Sequence, residues 1–177
     1  MERQPEHYTF AVLTLSDKGS RGEREDTSGR MLCDLLQGEG YVLTEYAVIP
    51  DRQGEIVGCL RKWTDQLSID LILTTGGTGM SPSDVTPEAT LEVVERLVPG
   101  IGEAMRQASL LKTPNAVLSR GVAGIRGQSL IINLPGSEKA ARENIAVVLP
   151  ALPHALYKLK GGDADCGVME GAGDRKK

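Results

Sequence analysis

Between Leu71 and Thr90 the chain carries its densest set of residues able to do chemistry. Gly76, Gly77, Thr78 and Gly79 keep a single Cβ over four positions. Such a loop bends tightly and brings backbone N–H groups close to a ligand, most naturally an anion. Asp84 follows shortly after. A carboxylate beside a phosphate-sized pocket repels phosphate, and a metal ion between the two would remove that conflict. Asp51, distant in sequence, is a second carboxylate of the same kind. The loop is not a P-loop, because no Gly-Lys-Ser/Thr follows it, nor a dinucleotide fingerprint, because Pro82 stands where that pattern needs glycine. The plainer alternative is a glycine-rich turn that only reverses the chain.

The elements that must position these residues follow from hydrophobic spacing. Residues 8–15 (YTFAVLTL), 41–49 and Leu71–Thr75 read as strands, the last buried on both faces. Residues 16–25 form a charged loop without apolar side chains, either solvated or functional, whose Lys18, Arg21 and Arg24 are able to meet an anion. Helices are expected from Asp26 or Ser28 to Gly38, over about 53–67, over 86–97 with Thr86 as cap, and over 101–111. Residues 116–125 and 129–133 read as strands joined by a hairpin turn at Arg126-Gly127, which makes one edge antiparallel. Ser137 caps a helix over 137–149, and Leu152–Leu159 is the last helix, after Pro150.

Strands alternating with helices imply a three-layer α/β fold, a mostly parallel sheet with helices on both faces. Ligands bind such sheets at the carboxyl ends of the strands, near a switch in strand order. Ser16-Asp17, Asp51, the 76–84 segment and the 133–137 segment each follow a strand. Parallel strands would put all four on one rim, with Asp51 and Asp84 facing one pocket.

Composition narrows the function classes. At 177 residues with 40% hydrophobic and 25% charged side chains, the chain suits one globular domain over residues 1–160. Residues 161–177 are poor in apolar side chains and read as a disordered tail. Aromatic content of 3% and a net charge of −4 argue against a nucleic-acid surface. Cys33, Cys59 and Cys166 lack zinc or disulfide spacing. Without a signal peptide or a long apolar run, the expected location is the cytoplasm, with no membrane contact.

Taken together, several motifs resemble the molybdopterin-binding family, which includes bacterial molybdopterin adenylyltransferases, the plant domain of the same activity and the gephyrin G domain. They are Leu13-Thr-x-Ser16-Asp, Glu25-Asp-Thr-Ser-Gly29, Ile49-Pro-Asp51, Gly76-Gly-Thr-Gly-x-x-x-x-Asp84-Val-Thr-Pro-Glu-Ala89, Ala123-Gly-Ile-Arg-Gly127 and Ile132-Asn-Leu-Pro-Gly-Ser137. The resemblance runs over residues 8–160, in order. It implies a homotrimer that adenylylates molybdopterin with ATP and Mg²⁺, releases pyrophosphate and supplies a downstream metal-insertion protein. It implies Asp51 and Asp84 as the functional, Mg²⁺-holding aspartates. Phosphate- and pterin-binding loops fall at Ser16-Asp17, at Gly76, Gly77, Thr78 and Gly79, at Ser119-Arg120, and at Pro135, Gly136 and Ser137. One position departs: Ser83 stands where the family usually has arginine, which removes a fixed positive charge beside the motif aspartate. The alternative is a pterin-binding or scaffold homologue without adenylyl transfer.

Overall fold

A computed structural model describes residues 7–163. Strand β1 (Thr9–Leu15) lies inside the sheet, and every residue after Thr9 in it is buried. Its side chains alternate between two cores. Phe10 and Val12 point into one, and Ala11, Leu13 and Leu15 into the other. A strand covered on both faces needs this unbroken apolar run. A single helical turn α1 (Asp17–Ser20) follows, where the sequence suggests only loop, because the Ser16 hydroxyl caps it through Gly19 N–H. Helix α2 (Thr27–Gly38) begins at Asp26 rather than Ser28, since the Asp26 carboxylate accepts from Gly29 N–H at 2.9 Å. Strand β2 (Val42–Ile49) is an edge strand that alternates in exposure. Helix α3 (Gln53–Arg61) continues into a π-helical turn at Lys62–Gln66, which leads to strand β3 (Leu71–Thr75).

Two expectations fail after β3. Helix α4 (Thr86–Val93) stops short of Leu97, and Arg96–Leu97 form the short strand β4. The cause is tertiary. Gly124 on the neighbouring strand β5 (Ala123–Arg126) leaves room that Val94 fills, and Glu95 N–H donates to Ile125 O at 2.8 Å. Leu97, at the end of the expected helix, is therefore 55% exposed in the structure. Pro99 then opens helix α5 (Pro99–Leu110), a position where its missing N–H costs nothing. The expected strand over 116–125 is mostly not one. Thr113 caps a 3₁₀ turn at Pro114–Leu118, and pairing begins only at Ala123. The hairpin at Gly127 does form, with φ of 54°, and leads into strand β6 (Ser129–Leu134). Helix α6 (Glu138–Val148), capped by Ser137, and helix α7 (Leu152–Leu159) complete the fold. Cys166 and most of the expected tail lie outside the described residues.

The sheet order is β2-β1-β3-β6-β5-β4. β2, β1, β3 and β6 run parallel, while β5 pairs antiparallel with both β6 and β4. Helices α2, α5, α6 and α7 cover one face, through residues such as Leu32, Met105, Ile145 and Leu156. Helices α3 and α4 cover the other through Ile56, Leu60 and Ala89, with Trp63 in the same core. The expected three-layer architecture with one antiparallel edge is the observed one. The chain leaves β1 toward β2 and returns across it to β3, so the strand order reverses between β1 and β3. No helix among the described residues is long and apolar enough to cross a membrane.

Candidate functional site

A pocket of about 370 Å³ opens where the strand order reverses, the place such sheets bind ligands. Ser16, Asp51, Gly76, Gly77, Asp84, Gly136 and Ser137 line it, contributed by loops after β1, β2, β3 and β6. Four distant loops thus share one rim, and both aspartates sit on it.

Close approach requires the glycines. Gly76 and Gly77 have φ of 102° and 64°. A Cβ on Gly76 would strike Leu15 O, and one on Gly77 would strike Thr86 Oγ1 and come within 3.1 Å of Asp51 Oδ1. The loop is pinned from below. Thr86 Oγ1 donates to Gly76 O at 2.9 Å rather than capping its helix, and Thr75 Oγ1 donates to Pro135 O at 2.7 Å. Gly136 packs onto Gly76, where an added Cβ would sit 3.2 Å from its Cα. The amino end of α6 therefore meets the pocket at Gly136 and Ser137, and its partial positive charge favours an anion there.

The carboxylates oppose such an anion. Asp51 Oδ2 accepts from Asp17 N–H, and Asp17 Oδ1 accepts from Asp51 N–H, both at 3.2 Å. Burial raises the Asp51 carboxyl above its ordinary pKa, and the charges of Asp17 and Asp84 add to the rise, against the lowering effect of the Asp17 N–H. Glu25, Asp26, Asp51, Asp84 and Glu138 line the pocket against one basic side chain, Arg24. A polyphosphate fits here only with a cation. Among the described residues no three His, Cys, Asp or Glu side chains are grouped to hold a metal. A cation would therefore take one or two carboxylates and complete its shell with phosphate and water, which suits Mg²⁺.

A second pocket of about 270 Å³ lies at the same loop, lined by Thr78, Gly79, Ser119 and Pro135. Arg106, Lys112, Asn115, Glu143 and Asn144 add charged and hydrogen-bonding groups to its largely apolar surface. Arg106 is held by Gly121 O at 2.8 Å and Asn144 by Ser109 Oγ at 3.0 Å, while Lys112 pairs with Glu143 at 3.0 Å.

Comparison with known proteins agrees with this geometry. Residues 11–154 match the family described as "Probable molybdopterin binding domain". The molybdopterin adenylyltransferase of Helicobacter pylori strain J99 is 44% identical over 156 residues, covering 86% of this chain and 88% of that protein. The chain belongs to the molybdopterin-binding family. Gephyrin of Dictyostelium discoideum, another relative, is 47% identical over 164 residues, but those residues, 87% of this chain, span only 23% of gephyrin. The molybdopterin biosynthesis enzyme MoaB of Thermus thermophilus superposes with a TM-score of 0.82 at 52% identity, covering 87% of this chain and 97% of that one.

Within this molybdopterin-binding fold, the residues singled out in the sequence divide between two pockets and a scaffold. Asp17 does not line the first pocket; it braces Asp51 from behind. Arg120 lines neither pocket. Ser83 is exposed, its hydroxyl 3.0 Å from that of Ser81. Of the three basic residues in the 16–25 loop, Arg24 reaches the first pocket, whereas Arg21 pairs with Glu23 at 2.8 Å. Sequence reading missed Arg106 and Asn144. A signal for Asn144 existed: it shares the apolar face of α6 with Ala141, Ile145 and Val148, a polar residue in a core stripe. Arg106 carries no such mark.

Proposed function

We propose that the protein adenylylates molybdopterin: a terminal phosphate oxygen of the pterin attacks the α-phosphorus of ATP, the bond to the bridging oxygen of the β-phosphate breaks, and pyrophosphate leaves. The observation that carries this reading is the placement of Asp51 and Asp84 on one pocket rim beside a loop cleared of side chains at Gly76 and Gly77. Proteins contribute little covalent chemistry to such transfers; they position the reactants and stabilise charge. Mg²⁺, bound with ATP, supplies the charge that lets polyphosphate sit against carboxylates.

The chain's own parts take the remaining roles. The loop backbone and the amino end of α6 receive phosphate oxygens in the first pocket. Asp51, braced by Asp17, and Asp84 hold the metal–nucleotide complex in place. The second pocket, with Arg106, Lys112, Ser119 and Asn144, suits the pterin and its phosphate. Gly79 and Thr78 belong to that pocket and Gly76 and Gly77 to the first, so the loop is the shared wall across which the phosphates meet. The assembly is a homotrimer working in the cytoplasm, with its product passing to a metal-insertion protein. Leu111 and Val117, 88% and 65% exposed, supply apolar surface that an oligomer would cover.

The test is pyrophosphate release from Mg·ATP with and without molybdopterin. Release that depends on the pterin supports transfer. Pterin binding without release points to the alternative, a binding homologue.

A further inference from the structure

Four of the five guanidinium N–H groups of Arg120 are bonded, to the loop it crosses and to Glu88. Its backbone N–H donates to Thr78 O at 2.9 Å. Its guanidinium donates through Nε to Gly79 O at 2.7 Å and through Nη2 to Asp84 O at 2.6 Å. The Glu88 carboxylate takes the rest, Oε1 from Nη1 and Oε2 from Nη2 at 3.4 Å. One planar side chain thereby ties both ends of the 79–84 segment to the first turn of α4. A rigid fork of donors can do this, and a lysine point charge cannot. Its charge is matched by Glu88, which leaves little attraction for a phosphate.

The segment it holds sets the direction of the Asp84 side chain. Asp84 Oδ2 accepts from Ser81 N–H at 2.9 Å, and Asp84 N–H returns a bond to Ser81 O at 2.9 Å. Gly79 passes so close that a Cβ there would lie 2.8 Å from Asp84 Oδ2. Any shift in the path of 79–84 turns the carboxylate.

We propose that Arg120, fixed by Glu88, is a positioning residue that holds the 79–84 segment so that Asp84 stays on the rim it shares with Asp51, and that its guanidinium does not bind the polyphosphate. Its use in turnover rests on the adenylyl-transfer reading; the clamp itself does not.

The test compares the full chain with Arg120→Lys, Glu88→Gln and the double variant. Hydrogen exchange at 79–84 reads the clamp without the reaction, and pyrophosphate release against Mg²⁺ concentration reads its use. Each single variant is expected to speed exchange in this segment by about tenfold, as loss of a local restraint does. Each should lower kcat by up to about 10²-fold through misplacement of Asp84, raise the half-saturating Mg²⁺, and leave KM for the pterin nearly unchanged. The double variant should match the worse single one, because both remove one contact. Unchanged exchange at 79–84 overturns the clamp. So does a Glu88→Gln variant that binds ATP more tightly while Arg120→Lys binds it more weakly, the pattern of a direct phosphate ligand. Absence of pyrophosphate release by the wild type overturns adenylyl transfer alone, and the exchange measurement still decides the clamp.

Discussion

Asp51 and Asp84 do different local work despite sharing a rim. Asp51 and Asp17 brace each other, each backbone N–H donating to the other's carboxylate, and the Asp84 carboxylate closes a turn by accepting from Ser81 N–H. Asparagine at either position keeps the size and removes the charge. Removing one preorganised electrostatic contact of this kind costs on the order of 10²–10³ in rate. Asp51→Asn and Asp84→Asn should therefore each lower turnover by that amount, with pterin affinity nearly unchanged, in steady-state assays that vary ATP and pterin separately. Ser83 behaves differently. It is exposed, so an arginine there would sit in solvent and contribute less than about 1 kcal/mol to a phosphate contact. Titration calorimetry with Mg·ATP should find Ser83→Arg tighter by less than about fivefold.

Among the elements, the β3–α4 connection carries the site, and buried polar bonds hold it. Thr86 is fully buried and its hydroxyl serves Gly76 O. Thr86→Val keeps the shape and strands that carbonyl, at a cost of about 1–3 kcal/mol in urea unfolding with an unchanged m-value. Asn133 joins the same scaffold, donating to Thr74 Oγ1 and Thr90 Oγ1, both at 2.9 Å. The Arg120 guanidinium beside Glu88 holds that carboxyl below the ordinary carboxylate pKa. A depressed folded pKa means the pair stabilises the fold above the unfolded carboxylate value and ceases to as pH falls through the folded one. The stability difference between wild type and Glu88→Gln should accordingly be constant near neutrality, begin to shrink near the unfolded carboxylate pKa of about 4.3, and go on shrinking as pH falls through the lower folded value. Unfolding curves at stepped pH check this. Elements set by local spacing were legible in the sequence: β1, β3 and α6 fall where apolar runs and Ser137 put them. Those set by distant partners were not. Nothing near Arg96 says that Gly124 leaves room for a strand, and nothing near Thr86 says that its hydroxyl is taken by Gly76 O.

At the scale of the molecule, the strand-order reversal between β1 and β3 turns four separate sequence motifs into one pocket. That convergence was legible because parallel strands put all their carboxyl ends on one side. The division into two pockets was not, because Arg106 and Asn144 reach the second one from helices α5 and α6 rather than from a strand end. For assembly, light scattering at micromolar concentration should give three times the 18.9 kDa chain mass, and a monomer mass would contradict the trimer. The central claim is that the Asp51–Asp84 rim supports adenylyl transfer. Its most direct test is single-turnover transfer of the label from ATP carrying ³²P in its α-phosphate to molybdopterin, with wild type and with Asp51→Asn. Wild type should move the label onto the pterin phosphate in a Mg²⁺-dependent burst, and Asp51→Asn should do so about 10²–10³ times more slowly while still binding the pterin. Label that stays in ATP with wild type and bound pterin, or equal rates for the two proteins, would contradict the account.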